Sequence, residues 1–235
     1  MRTDKKTARI AGVWYLVMAV TATFGILIVP AQVLIPGDAA TTAKNILANE
    51  TFFRAGIVSS LMCQIAFIFL VLNLHHIFKK VNYKHSLLMV SFVLVSIPIA
   101  CINTLSSISL ITSLTNQNFI SSFTPSQAHS FIALFIVLQK YGTIIAQIFW
   151  GLWLFPFALL IFQSNFIPKI FAVFLILAGV SYLVHSMTFL LAPKCGDLIA
   201  HYTALPEGLG ELAIIVWLLL KGVTNPNHGA DTAVA

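Results

Sequence analysis

The chain has 235 residues, 59% of them hydrophobic and only 9% charged, with a mean hydropathy of +0.94. Soluble domains carry about a quarter charged residues, so this composition excludes that class and indicates a chain that crosses a membrane several times. The net charge of +6 does not point to nucleic acid, because the lysines and arginines lie in short segments between apolar runs instead of forming one basic face.

Residues 1–9 set Arg2, Lys5, Lys6 and Arg9 against Asp4 and lead into an apolar run over 10–34. A cleavable signal core has about 7–15 residues, so this longer run is predicted to be an uncleaved first span with its amino end in the cytoplasm. Ala8 and Gly12, four positions apart, form a small-residue face on which another helix can pack closely. After the turn at Pro36, Gly37 and Asp38, residues 39–49 are predicted as a short interfacial helix. Asp38 is its candidate N-cap, with Ala39, Ala43, Ile46 and Leu47 on one face.

Several stretches carry a resemblance: ARIAG at Ala8–Gly12, GDAATTAKNIL at Gly37–Leu47, FFR at Phe52–Arg54, FQSNFIPKI at Phe162–Ile170 and GELAIIVWLLLKGV at Gly210–Val223. Together they resemble the bacterial membrane proteins grouped as domain-of-unknown-function family 4386, and the resemblance covers nearly the whole chain. It implies a bacterial membrane protein of about six helices and supplies no catalytic residue to carry over.

A second span is predicted over 51–74, with Arg54 at its outer end and Gln64 near mid-depth. His75, His76, Lys79, Lys80 and Lys84 follow as a solvated cytoplasmic loop. Adjacent histidines on a helix would point about 100° apart and would not converge on a metal. The third span, over 86–114, holds Pro98 and Asn103, and 115–123 is a polar loop. Thr124-Pro125-Ser126-Gln127 has the capping-box pattern with proline at the first helical position. The apolar pattern then runs to Phe162, roughly 55 Å of helix at 1.5 Å per residue, so the fourth span is placed at 141–162 with Gln147 inside it. His129 and Gln139 then fall on an extension outside the membrane.

Ser164–Lys169 reads as a tight cytoplasmic turn, and Pro168 opens a fifth span over 168–192 that contains His185. Residues 193–204, with Cys195, Asp197 and His201, are predicted as an outer loop before the sixth span at 205–221. In that last span Glu207 and Glu211 lie one turn apart on one face, about 15 Å or more from its end at Lys221. Carboxylates at such depth are functional-site candidates by default.

The fold predicted is therefore all-α, a polytopic six-helix membrane bundle forming one domain over 1–222, with a flexible tail over 223–235. On this model the basic residues Arg2, Lys5, Lys6, Arg9, Lys79, Lys80, Lys84, Lys169 and Lys221 face the cytoplasm, and Lys44, Arg54, Lys140 and Lys194 face outward. The excess places both termini in the cytoplasm, in a multi-pass protein of the bacterial cytoplasmic membrane. Cys63, Cys101 and Cys195 have neither CxxC spacing nor an obvious disulfide pair. No nucleotide-binding, zincin or nucleophile-elbow motif occurs.

Taken together, Glu207, Glu211, His185, Gln64, Asn103 and Gln147 fall in one polar layer drawn from five spans, with Arg54 at its mouth. Polar groups at this depth face the bundle interior and one another. The first reading is a polar pocket, open to the outside, that binds or passes a small polar or cationic ligand. A second is a structural or accessory protein whose buried polar groups only pack helices. A third is a metal-dependent membrane enzyme using the glutamates with His185 and His201. The partners implied are the lipid bilayer and a small polar ligand. No cofactor, metal or nucleic acid is called for, and no residue is assigned a catalytic role.

Overall fold

The structure, a computed structural model, describes residues 2–116, 118 and 123–223. The tail predicted over 223–235 lies outside the described residues beyond Val223, as do 117 and 119–122 of the polar loop. Among the described residues there is no strand. Six helical stretches are long and apolar enough to cross a membrane: Lys5–Val33, Glu50–Phe78, Tyr83–Thr115, Ser126–Gln163, Lys169–Leu191 and Leu198–Leu220.

The first stretch is not one regular helix. α1 (Arg2–Ala22) widens into a π-helical segment, Thr23–Ile28, before α2 (Val29–Val33). Pro30 has no N–H to offer the carbonyl of Ile26, and the ladder shifts so that Val29 N–H bonds to the Phe24 carbonyl, five residues back. The Ser59 hydroxyl donates to the Thr21 carbonyl at 2.9 Å, supplying a partner where the regular ladder is interrupted.

α3 (Ala39–Ala48) begins as its cap predicts: Asp38 Oδ1 accepts from Thr41 N–H at 2.8 Å. Its inner face keeps Ala39, Ala43 and Ile46 of the predicted one and differs at two positions. Thr42 and Ile46 are fully buried while Leu47 is on the surface. Thr42 Oγ1 accepts from Ile35 N–H at 2.9 Å, so a hydroxyl that satisfies the incoming backbone takes the inner position.

α4 (Glu50–Phe78) runs a full turn past the predicted end and carries His75 and His76 within the helix. The loop reading fails there because Ile77 and Phe78 are buried and His75 Nδ1 is 2.8 Å from the hydroxyl of buried Ser86 at the start of α5 (Tyr83–Thr115). α6 (Pro125–Leu152) starts with the expected reciprocal cap, Thr124 N–H to Gln127 Oε1 at 2.9 Å and Gln127 N–H to Thr124 Oγ1 at 3.3 Å. The ladder breaks at Trp153, because Pro156 offers no N–H to the Leu152 carbonyl, and α7 (Leu154–Gln163) follows.

α8 (Lys169–Leu191) and α9 (Pro193–Leu220) are joined by Ala192 alone. The outer loop predicted over 193–204 is instead helix. Proline suits the first helical position, and the Ala192 carbonyl accepts from both Cys195 and Gly196 N–H at 2.9 and 3.0 Å. Pro206 thus lies inside α9.

The chain divides into two compact units. One comprises the described residues of Met1–Leu16, Phe67–Ser96 and Gln147–Ala235, the other Val17–Ala66 and Ile97–Ala146. The second unit has a core of Val29, Val33, Ile46, Phe53, Leu110, Ile111, Leu114 and Ile132. In the first, buried Trp153 stacks on Phe157 at 5.5 Å and meets Phe67 edge-on at 5.1 Å and Tyr15 at 5.9 Å. α9 also closes tightly on α8 there: a Cβ on Gly210 would come within 2.7 Å of the Phe174 carbonyl oxygen. Only a residue without a side chain allows this approach, and it lies next to Glu211.

Candidate functional site

Glu207 and Glu211 stand one turn apart on α9, and Tyr182 and His185 stand three apart on α8. Both spacings put each pair on one helix face, and the antiparallel packing of the two helices sets Tyr182 against Glu211 and His185 against Glu207. The Tyr182 hydroxyl donates to Glu211 Oε1 at 3.0 Å. From α1, the hydroxyl of fully buried Tyr15 donates to Glu211 Oε2 at 2.8 Å. Both oxygens of one carboxyl group are therefore held by phenols from two other helices.

Glu207 is held differently. Its Oε1 is enclosed and has no hydrogen-bond partner, and His185 Nδ1 lies 3.9 Å away, outside hydrogen-bond range. The side chains of His185 and Glu207 are only 13% and 12% exposed. The Thr203 hydroxyl, a turn earlier on α9, lies beside Glu207 but donates to the Ala200 carbonyl at 3.3 Å. An enclosed carboxyl oxygen without a donor is uncommon in folded proteins and calls for an explanation.

The structure thus brings together Glu207, Glu211 and His185. Gln147 belongs to the same unit, and its Oε1 is enclosed without a hydrogen-bond partner. Gln64, Asn103 and Arg54 belong to the second unit. Gln64 is buried and its amide reaches the Ser60 carbonyl at 3.5 Å. Asn103 donates to Thr143 Oγ1 at 3.0 Å and lies over Gly142. Arg54 pairs with Glu50 at 2.7 Å, one turn away on α4, with both side chains about half exposed. His201 is exposed on α9, its ring 5.9 Å from that of Tyr202.

Tyr15 and Tyr182 are the residues the sequence reading missed. The partners predicted for the glutamates are amides and histidines, yet a phenol is a donor too. Tyr182, three before His185, carried the same signal as the histidine.

Over residues 10–222 the chain matches the model of a family described as a domain of unknown function, DUF4386. The chain belongs to that family. No curated protein and no solved structure matches it. For a DUF4386 chain, function therefore has to be argued from the side chains themselves. Among the described residues, no three His, Cys, Asp or Glu side chains gather as metal ligands.

Proposed function

We propose that this is a multi-pass protein of the bacterial cytoplasmic membrane, with both termini in the cytoplasm, whose Glu207, Glu211 and His185 form an intramembrane site for a small polar or cationic ligand. The observation that carries the reading is the enclosed Glu207 oxygen without a donor. A cationic or hydrogen-bond-donating ligand supplies the missing partner, and Glu211, fixed by two tyrosines, contributes a second carboxyl group one turn away. Enclosed carboxyl groups in lipid are costly unless paired, so they recur on ligand and proton pathways.

The test is thermal unfolding of the purified protein against a panel of sodium, potassium, ammonium and small primary-amine salts at constant ionic strength. A ligand at about 100 times its dissociation constant stabilises by roughly 2.7 kcal/mol. At least one member of the panel is expected to raise the melting temperature of the wild type and not of Glu207→Gln. A panel with no effect, or an effect that survives the substitution, ends the proposal.

A second reading rests on Glu211 itself. Because both of its oxygens are already occupied, the Tyr15, Glu211 and Tyr182 cluster serves as a polar clamp joining three helices. On that reading Glu211→Gln lowers stability and leaves the cation response unchanged.

A further inference from the structure

At one end of the first unit, Ser164, Asn165, Phe166, Ile167, Pro168 and Lys169 line, together with Trp217, a cavity of about 260 Å³. A single water needs only about 10–15 Å³ by the same measure, so the cavity admits a polar group larger than solvent. Lys169 forms no hydrogen bond or ion pair with any described residue. Lys169 is thus a cationic residue of the cavity lining with no counter-charge from the described residues. The indole N–H of Trp217 is likewise without an acceptor.

The cavity lies where two apolar helices end. Lys169 is the first residue of α8, and Trp217 lies in the last turn of α9, its carbonyl accepting from Lys221 N–H at 2.9 Å. Tryptophan and lysine at helix ends are the residues that sit at lipid headgroup level. Other basic residues share this end. Arg9 reaches the Leu220 carbonyl at 3.5 Å, and the Lys5 side chain lies against Gly222. His85, next to Lys84, meets Gln163 at 3.4 Å. Among the described residues, this end holds no acidic side chain paired to Lys169.

We propose that this cavity binds the phosphate of an anionic phospholipid headgroup, with Lys169 as its cation and Asn165 as a hydrogen-bond donor. A phosphodiester matches a cavity of this size that opens beside an apolar helix end, since its acyl chains can follow the exposed faces of Ile170 and Val173. The proposal depends on the membrane reading but not on the glutamate site, and it fails or survives separately from it.

Native mass spectrometry of the full-length protein in detergent, titrated with phosphatidylglycerol or phosphatidylcholine, tests it. The wild type is expected to retain phosphatidylglycerol in preference to phosphatidylcholine. Lys169→Gln is expected to retain about fivefold less, the effect of one lysine beside an anionic surface, and Lys169→Arg to retain the wild-type amount. Lys80→Gln, which removes an exposed charge outside the cavity wall, controls for general basicity and is expected to have little effect. Should Lys169→Gln fail to fold, Asn165→Asp puts a negative charge in the same cavity from an exposed position and is expected to cause a similar loss. Equal retention of both lipids, or equal losses for Lys169→Gln and Lys80→Gln, overturns the proposal. Protection by millimolar inorganic phosphate as strong as that by phosphatidylglycerol assigns the cavity to free phosphate and overturns the lipid assignment.

Discussion

Tyr15 and Glu211 are separated by 196 positions in sequence, and their hydroxyl and carboxyl oxygens are 2.8 Å apart. The contact joins the first long helix to the last. It also sets the rotation of both about their axes, because a turn of either would carry its polar group towards lipid.

Removing either phenol should therefore cost stability. Tyr15→Phe and Tyr182→Phe each delete one donor while keeping the ring, at about 0.5–2 kcal/mol for a hydrogen bond between membrane helices. In a chain of this size that lowers the melting temperature by roughly 1–8 °C. In double-mutant cycles each tyrosine should couple to Glu211→Gln, and absence of coupling would show that the observed bonds contribute nothing measurable.

Gly142 should not tolerate alanine. A Cβ there would sit 2.5 Å from Asn103 Cγ, so the amide would have to leave its bond to Thr143. Glycine to alanine in a helix is ordinarily favourable by about 1 kcal/mol, but overpacking reverses the sign, with a net loss of roughly 1–3 kcal/mol. Asn103→Ala should rescue Gly142→Ala, bringing the double variant above either single one in chemical or thermal unfolding.

Ser86 is fully buried and bonded to His75 Nδ1 at 2.8 Å. Ser86→Ala should lower stability by about 1 kcal/mol and by much less in a His75→Ala background. If the two losses simply add, the pair makes no net contribution.

The cap of α3 gives a pH dependence. Hydrogen bonds from Thr41 hold the Asp38 carboxyl below the usual aspartate range. Because its folded value is depressed, its stabilisation is fully present above the unfolded aspartate value of about 3.9 and is lost as pH falls through the lower folded value. Amide exchange over residues 39–48 should be faster in Asp38→Ala than in the wild type at neutral pH. The two should converge once the pH is below the folded value. A difference that persists under those acid conditions would remove the carboxylate from the explanation.

How much could be read in advance differed from place to place. The cap at Asp38 and the reciprocal cap of Thr124 and Gln127 were legible because each is local, a matter of residues three apart. His75 was misread as loop because helix continuation past Leu74 depends on Ile77 and Phe78 finding a core and on Ser86 meeting the imidazole. The helical start at Pro193 was missed for the opposite reason: proline, glycine and two charges within five residues imitate a loop, and packing overrides them. Among the site residues, Glu207, Glu211 and His185 were legible as polar groups in apolar runs, but their tyrosine partners were not.

By itself, the sequence determined that the chain is helical and has six stretches fit for lipid, because a bilayer leaves every backbone polar group to be satisfied within its own helix and demands apolar length. It also determined that Glu207 and Glu211 share a face, which the helical repeat requires. Only the tertiary structure decided what that face meets. Which phenol, imidazole or amide arrives beside a carboxyl group depends on how each helix is rotated and how closely glycine lets its neighbour approach, and helices in lipid settle this through side-chain packing, to which spacing along the chain is blind.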